Sequence, residues 1–449
     1  MADLSEVVSR VLDSALDGEH VEAYAVHRLS TTVQVDTDAE IRRVTRAEIQ
    51  GVGVRLIHDG RLGYASCSAL DEAALRRTVE MARSNAGVGD RDAAQGLPEP
   101  EAIPAMEGVD RALETATLTE KIDLVVDVAR RVVSLDPRVR SLDTAEYHDE
   151  QKTVSIASTR GVGATYTTGY AEAWVEALGE DEHGRVSDSG YLFGRSPGEC
   201  DPEVLAARAV ARTVRLLGPV SAPRTDLPII LDPSVVADLV TAVGKGLSGG
   251  PVSSGRTPFA GSIGTAVAAP CVDLTDEGRL RLSPAAAPFD DEAAPRGRTP
   301  LIDGGVLIGA LHSTVTARAT GASAVSTGNA RRASHKSPPH AAPSCLVLSP
   351  TVSLQELMSQ LDDVIYIQQL SGSGAGINPV TGRVNVGAVG ALLRAGEPSG
   401  HVDAISVSTT LMDVLRSIEA VADDAYPVPF TPTAAATVLC TSGLLSPGP

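Results

Sequence analysis

The chain has 449 residues, 43% of them hydrophobic, and a formal charge of −19 from 57 acidic against 38 basic side chains. That length supports two or three domains with substantial cores. The acidic balance and the 3% aromatic content argue against a nucleic-acid partner, because a phosphate backbone is repelled and few rings are available to stack on bases.

The N-terminus MADLSEVVSR lacks the basic and apolar regions of a signal peptide, and no apolar run approaches the roughly 18 residues of a membrane span. A cytoplasmic location without membrane contact is expected. Cys67, Cys200, Cys271, Cys345 and Cys440 are scattered without CxxC spacing. They read as buried free thiols, neither a disulfide framework nor a zinc ribbon.

A first helix is predicted over Leu4 to Leu16, capped by Asp3 and Glu6 and stopped at Asp17 and Gly18. Strands follow at Val33 to Val35 and Ile41 to Val44. The segment GVGVRLIH from Gly51 turns through Asp59 and Gly60 into RLGYA, which is a hairpin signal. A helix from about Leu70 to Ala86 closes an N-terminal α+β subdomain, residues 1–88. Residues 87–110, rich in Gly, Pro, Asp and Glu, form a linker.

The second α+β subdomain spans 110–218. Thr117 and Glu120 form a capping box for a helix with one apolar face, strands follow at 138–158 and 164–194, and Asp201, Pro202 and Gly218 bracket another helix. The boundary of the last domain, 223–449, is placed in the stretch from Gly218 to Thr225. There Ile229 to Leu231 is a short buried strand feeding a helix through Asp232 and Pro233. The remainder reads as strands, with turns at Asp276 to Gly278, Asp303 to Gly305 and Asn378 to Gly382, and with helices near 353–361 and 410–422. The expected fold class is α+β, with N-terminal α/β subdomains followed by a β-rich, barrel-like C-terminal domain.

The most informative segment is LVTAVGKGLSGG, Leu239 to Gly250. Val236, Leu239, Val240, Val243 and Leu247 follow helical apolar spacing, so Val240 by itself reads first as part of a buried stripe. The segment also resembles the metal helix H-E-A-V-G-H-G-L-E-G of the TldD branch of the TldD/PmbA family, the "modulator of DNA gyrase" peptidases. Ala242, Val243, Gly244, Gly246, Leu247 and Gly249 match that frame, while Val240, Thr241 and Lys245 stand where the ligands and general base belong.

Zinc needs imidazole, thiolate or carboxylate donors at about 2.0–2.3 Å, and hydrolysis needs a base. Val offers no donor, Thr a poor one, and a charged Lys repels the ion. Ligands five residues apart on an ideal helix lie about 140° apart, so such a site calls for a widened turn that a glycine at Gly244 could permit. Lys245, one of four lysines in the chain, is either a surface residue or an ammonium standing where a cation would sit.

Further segments resemble family landmarks in the same order. They are GVGVRLIHDGRLGYAS, the run from Phe289 to Glu292, LIDGGVLIGALH from Leu301, STGNAR from Ser326, NPVTGRVNVGAVGALLRAGE from Asn378, and a helix ending at Asp424. In the family a further ligand, a Cys, comes from a loop after the final helix. Here that loop, Ala425 to Pro432, has none, and Cys440 reads as core.

The resemblance implies a non-catalytic, TldE-like subunit without metal of its own. It would pair with a metal-bearing TldD-like subunit, zinc being the expected ion there, and shape a cleft in which a peptide or modified peptide adds to a sheet edge. Gly244, Thr327, Asn329 and Arg331 are the candidate cleft residues. A turn stabilised by the Asn329 side chain accounts for the last segment equally well.

Two alternatives are an independent homodimeric enzyme that reuses the pocket through Lys245, and a peptide-binding protein without catalysis. Asp290, Asp291 and Glu292 are expected to form a solvated acidic loop. His335 and His340 fix no shared metal-binding face. The run SGSGAG from Ser371 lacks the Lys and Ser/Thr of a phosphate loop and reads as a turn.

Overall fold

The computed structural model describes residues 3–219, 226–321, 325–359 and 361–447. The expected boundary near Gly218 therefore falls, at residues 220–225, outside the described residues. The first half is one antiparallel sheet in the order β3-β2-β1-β4-β5-β6. Its strands are β1 (His20–Val35), β2 (Ile41–His58), β3 (Arg61–Cys67), β4 (Val139–Ser158), β5 (Gly163–Asp181) and β6 (Gly184–Gly194). Residues on both sides of the 87–110 linker build this sheet, joined where β1 pairs with β4 from Glu22↔Ser158 to Val35↔Ala145.

Helices α1 (Leu4–Leu12) and α2 (Glu72–Val88) cover one half of the sheet over a core that includes Val11, Val54 and Val79. The short helix α3 (Arg111–Thr115) leads into α4 (Leu118–Leu135), which with α5 (Pro202–Arg215) covers the other half over Val128, Tyr147 and Leu205. The Thr117 and Glu120 capping box forms, each side chain bonding the other's backbone N–H. At the β2–β3 turn Asp59 and Gly60 have φ of 52° and 71°, the two left-handed residues of a tight hairpin.

Helix α1 is shorter than expected. Asp3 caps it by accepting from the Ser5 N–H at 2.9 Å, but Glu6 turns outward to Arg10 at 2.6 Å, and the chain leaves the helix through tight turns at Ser14 and Ala15.

The C-terminal half has two curled sheets that make a half-barrel. One runs 418–421, 438–440, β7 (Ile229–Leu231), 363–371, 383–394, 397–410, 445–447; the other runs 306–307, 298–303, 274–277, 346–348, 433–435, 426–427. Helix α6 (Pro233–Gly246) packs against strands of both, and its Val235, Val240 and Val243 join Leu274, Leu346 and Ile365 in one core.

Two expectations change here. Residues 418–421 form a strand paired with 438–440, not the end of a helix; Ile418 and Val421 are buried β-branched residues that a sheet accommodates readily. No tight hairpin forms at Asp276. Glu277 pairs directly with Arg298, and residues 278–297 leave the sheet and return. The turns at Gly304 and Gly305 and at Asn378, whose Oδ1 accepts the Val380 and Thr381 N–H groups, are as expected.

Among the described residues no helix is long and apolar enough to cross a membrane.

Candidate functional site

Helix α6 is anchored at its start. Asp232 accepts from the Ser234 N–H at 3.0 Å, and Pro233 occupies the first turn, where a missing N–H costs nothing. Arg212 of α5 bonds Asp232 at 2.7 Å and also pairs with Asp188 of β6, while the Tyr366 hydroxyl donates to Asp232 at 2.8 Å. Burial pushes the Asp232 carboxyl up, but Arg212 and the Ser234 donors outweigh it and hold it below the usual carboxylate range. The central unit thus fixes where α6 begins.

Along α6, Val240 is 3% exposed and packs among Leu231, Leu348 and Val414. Thr241 is also buried, its hydroxyl 2.9 Å from that of Thr433, on the strand that follows the 425–432 loop. Lys245 is exposed on the last turn and makes no hydrogen bond or ion pair among the described residues. Gly244 is buried, and a Cβ there would stand 2.4 Å from Leu346 Cδ1. The helix stays α-helical through Gly246, with no widened turn, so close packing on Leu346 accounts for the glycine.

These side chains do not fit a zinc site, since no imidazole, thiolate or carboxylate stands at the frame positions. Among the described residues no group of three or more His, Cys, Asp or Glu is placed to hold a metal. His335 is buried with Nε2 unpartnered, whereas His340 is exposed. Cys200, Cys345 and Cys440 are buried free thiols, while Cys67 and Cys271 are half-buried.

The 425–432 loop separates two clefts and contributes Phe430 and Thr431 to both. Phe430 is 97% exposed, with φ of 60°. One cleft, about 370 Å³, is lined by Trp174, Tyr191, Asp238 and Tyr426, with the Arg208 guanidinium 4.7 Å over the Tyr426 ring. The other, about 420 Å³, lies between β1, β4 and β5 and the C-terminal half, and it contains Arg331, Lys152, Tyr166 and Tyr170.

Of the candidate cleft residues, Arg331 lines this second space. Asn329 lies behind it, 1% exposed, its amide donating to Asp276 at 2.6 Å and its Oδ1 accepting from the Thr327 hydroxyl at 2.7 Å. Asp276 also accepts the Ser344 and Cys345 N–H groups, so Thr327 and Asn329 belong to a structural knot.

The acidic run is a correction. Asp290, Asp291 and Glu292 are 1%, 6% and 0% exposed. Glu292 bonds Arg55 at 2.6 Å, Arg55 bonds Glu22 at 2.6 Å, and Glu22 pairs with Arg332. Asp290 accepts three backbone N–H groups, from Glu292, Ala294 and Ala330. Burial and the adjacent Glu292 charge push its pKa up to about 7 against those donors. The run is buried because Arg55 of the first half meets Glu292 and Arg332, in the same half as the run, bonds Asp291, partners that adjacency along the chain does not reveal.

Sequence reasoning also missed the β1, β4 and β5 wall of the Arg331 cleft. One signal was present: Tyr166, Thr168 and Tyr170 alternate along the chain, and in β5 all line that cleft.

Three family models match the chain. They are PmbA/TldA metallopeptidase domain 1 over residues 21–86, the central domain over 111–217 and the C-terminal domain over 224–443. The chain belongs to the PmbA/TldD metallopeptidase family. Among curated relatives, it is 23% identical to metalloprotease PmbA of Escherichia coli O157:H7, covering 94% of this chain and 91% of that one. It is 28% identical to a metalloprotease TldD homolog of Haemophilus influenzae, over 64% of this chain and 61% of the relative.

A putative modulator of DNA gyrase from Thermotoga maritima shares the fold with a TM-score of 0.90 at 24% identity, covering 99% and 100% of the two chains. TldE from Thermococcus kodakarensis does so at 0.89 and 19%, with the same coverage.

Proposed function

We propose that this chain is the metal-free, TldE-like subunit of a heterodimeric metallopeptidase, with the cytoplasm as its compartment. It shapes the cleft in which a metal-bearing TldD-type partner, expected to carry zinc, hydrolyses a peptide or modified peptide. The observation carrying this reading is the donor chemistry of α6: a buried Val240, a Thr241 engaged with Thr433, and a lone ammonium at Lys245. None of these grips a divalent ion, and none activates water, so bond scission is assigned to a second polypeptide.

The test is co-expression with the TldD-type protein of the same organism. The expected result is a complex on size-exclusion chromatography that cleaves peptides, with metal confined to the partner. Stoichiometric zinc in the isolated chain, or peptidase activity without a partner, overturns the proposal.

A further inference from the structure

The cleft beside Arg331 carries five cations, Arg28, Lys152, Arg296, Arg331 and Arg332, against two carboxylates, Glu150 and Asp291. Arg28 is engaged by Glu150 at 3.3 Å and Arg332 by Glu22. Lys152, Arg296 and Arg331 have no salt-bridge partner among the described residues; Asp291, which accepts the Arg332 backbone N–H at 2.7 Å, is the cleft carboxylate whose charge Lys152 and Arg296 share.

Arg331 gives one N–H to the Pro343 carbonyl at 3.1 Å. Arg296, 6% exposed, donates to the Ala285 carbonyl and leaves its buried Nε without a partner. Burial and the neighbouring Arg296 charge depress the Arg331 pKa despite Asp291 and Asp276, whereas burial of Lys152 is outweighed by Tyr166, Tyr24 and Asp291 and its pKa is raised, so Arg331 is the less compensated of the two. In a chain of net charge −19, this concentration of under-paired cations in a cavity is unfavourable unless an anion completes it.

We propose that this cleft binds the carboxylate of a peptide, with Lys152, Arg296 and Arg331 as its counter-charges. Guanidinium groups suit carboxylates because their paired N–H donors match the two oxygens. The Tyr166 and Tyr170 rings and the exposed Phe430 give the flanking chain apolar surface that a free inorganic anion does not use. A volume of about 420 Å³ is large enough for a short peptide end. The assignment rests on the peptide-handling role proposed above and names the group by which the substrate is held.

The test is calorimetric titration of the full chain with N-acetyl-trialanine as the free acid, as its C-terminal amide, and with inorganic phosphate. The acid is expected to bind about tenfold tighter than the amide, the scale of one charge-assisted hydrogen bond, and to weaken as salt is raised. Lys152→Met and Arg331→Gln should each remove the preference, while Arg42→Met, an exposed control, should keep it; circular dichroism checks that each variant folds. Equal binding of acid and amide, no binding of either, a preference for phosphate, or a preference that survives either variant overturns the inference. Because the salt and acid-versus-amide measurements use the unaltered chain, a misfolded variant does not rescue it. Complex formation with the TldD-type protein is scored on the unaltered chain as well, so absence of a carboxylate preference in that chain with an intact complex sinks this inference alone, and a preference without a complex sinks the subunit role.

Discussion

The Thr241 hydroxyl lies 2.9 Å from the Thr433 hydroxyl, and both residues are buried. This contact ties the helix whose frame resembles a metal helix to the strand that follows the 425–432 loop. Where family resemblance places a general base, the protein has a neutral hydroxyl pair. Removing one member strands the other, so Thr241→Val and Thr433→Val should each cost about 1–2 kcal/mol. The double variant, with no hydroxyl to strand, should cost less than the sum of the two single variants. Urea denaturation of all four proteins measures this, and strictly additive costs would show that the pair is not coupled.

Gly244 separates a packing role from an open-cleft role. A Cβ there would stand 2.4 Å from Leu346 Cδ1 inside the main core, so Gly244→Ala should destabilise by about 1–3 kcal/mol through overpacking. Gly250, on the next short helix, has nothing within 4 Å of an added Cβ. Gly250→Ala should be neutral or slightly stabilising, through the smaller entropy of the unfolded chain. Equal midpoints for the two variants on chemical denaturation would show that α6 has slack against its strand.

What the sequence revealed was local chemistry. The Thr117 and Glu120 box, the Asp59 and Gly60 turn and the Asp232 and Pro233 start of α6 each depend on residues a few positions apart. What it concealed was burial from both sides. From Val21 to Val26 every residue of β1 is buried, because α1 packs on one face while Phe289 and Ala293 of the C-terminal half pack near Tyr24 and Val26 on the other. The two-residue alternation that marks a half-exposed strand is therefore lost, and only the far end of β1 shows it. The same limit hid the Arg331 cleft, whose two walls come from distant parts of the chain.

Acid should weaken the fold through two imidazoles, the half-buried His312 and the buried His335. Burial lowers the pKa of His312 and of His335, where the Lys336 charge adds to it, and His312 Nδ1 and His335 Nε2 lack partners. With an unfolded pKa of about 6.5, the unfolded chain binds these protons more readily than the native one. Their stabilising contribution is present above that pH and lost as pH falls toward the depressed native values, at up to about 1.4 kcal/mol per pH unit for each proton. The His312→Gln/His335→Gln variant should show a shallower loss between pH 6.5 and 5 in thermal melts, compared with the parent so that other groups cancel. An unchanged slope would remove the histidines as the cause.

Arg55 joins β2 to the C-terminal half, bonding Glu22 and Glu292 at 2.6 Å each, while the second Glu292 oxygen accepts the Thr314 N–H at 2.9 Å. Arg55→Met leaves two interior carboxylates without this guanidinium and should cost about 3–5 kcal/mol, the penalty of an uncompensated buried charge. Arg55→Lys should recover little, because a single ammonium cannot present two separated N–H donors to two carboxylates. Arg10→Met, which removes the exposed Glu6 pair, should stay within about 1 kcal/mol of the parent. Adding Glu292→Gln to Arg55→Met should restore part of the loss by discharging one stranded carboxylate. If Arg55→Met melts with Arg10→Met, solvent reaches the network and the two halves are held by apolar packing alone. A large loss relieved by Glu292→Gln would make charge pairing across the junction part of what holds the cleft walls in register.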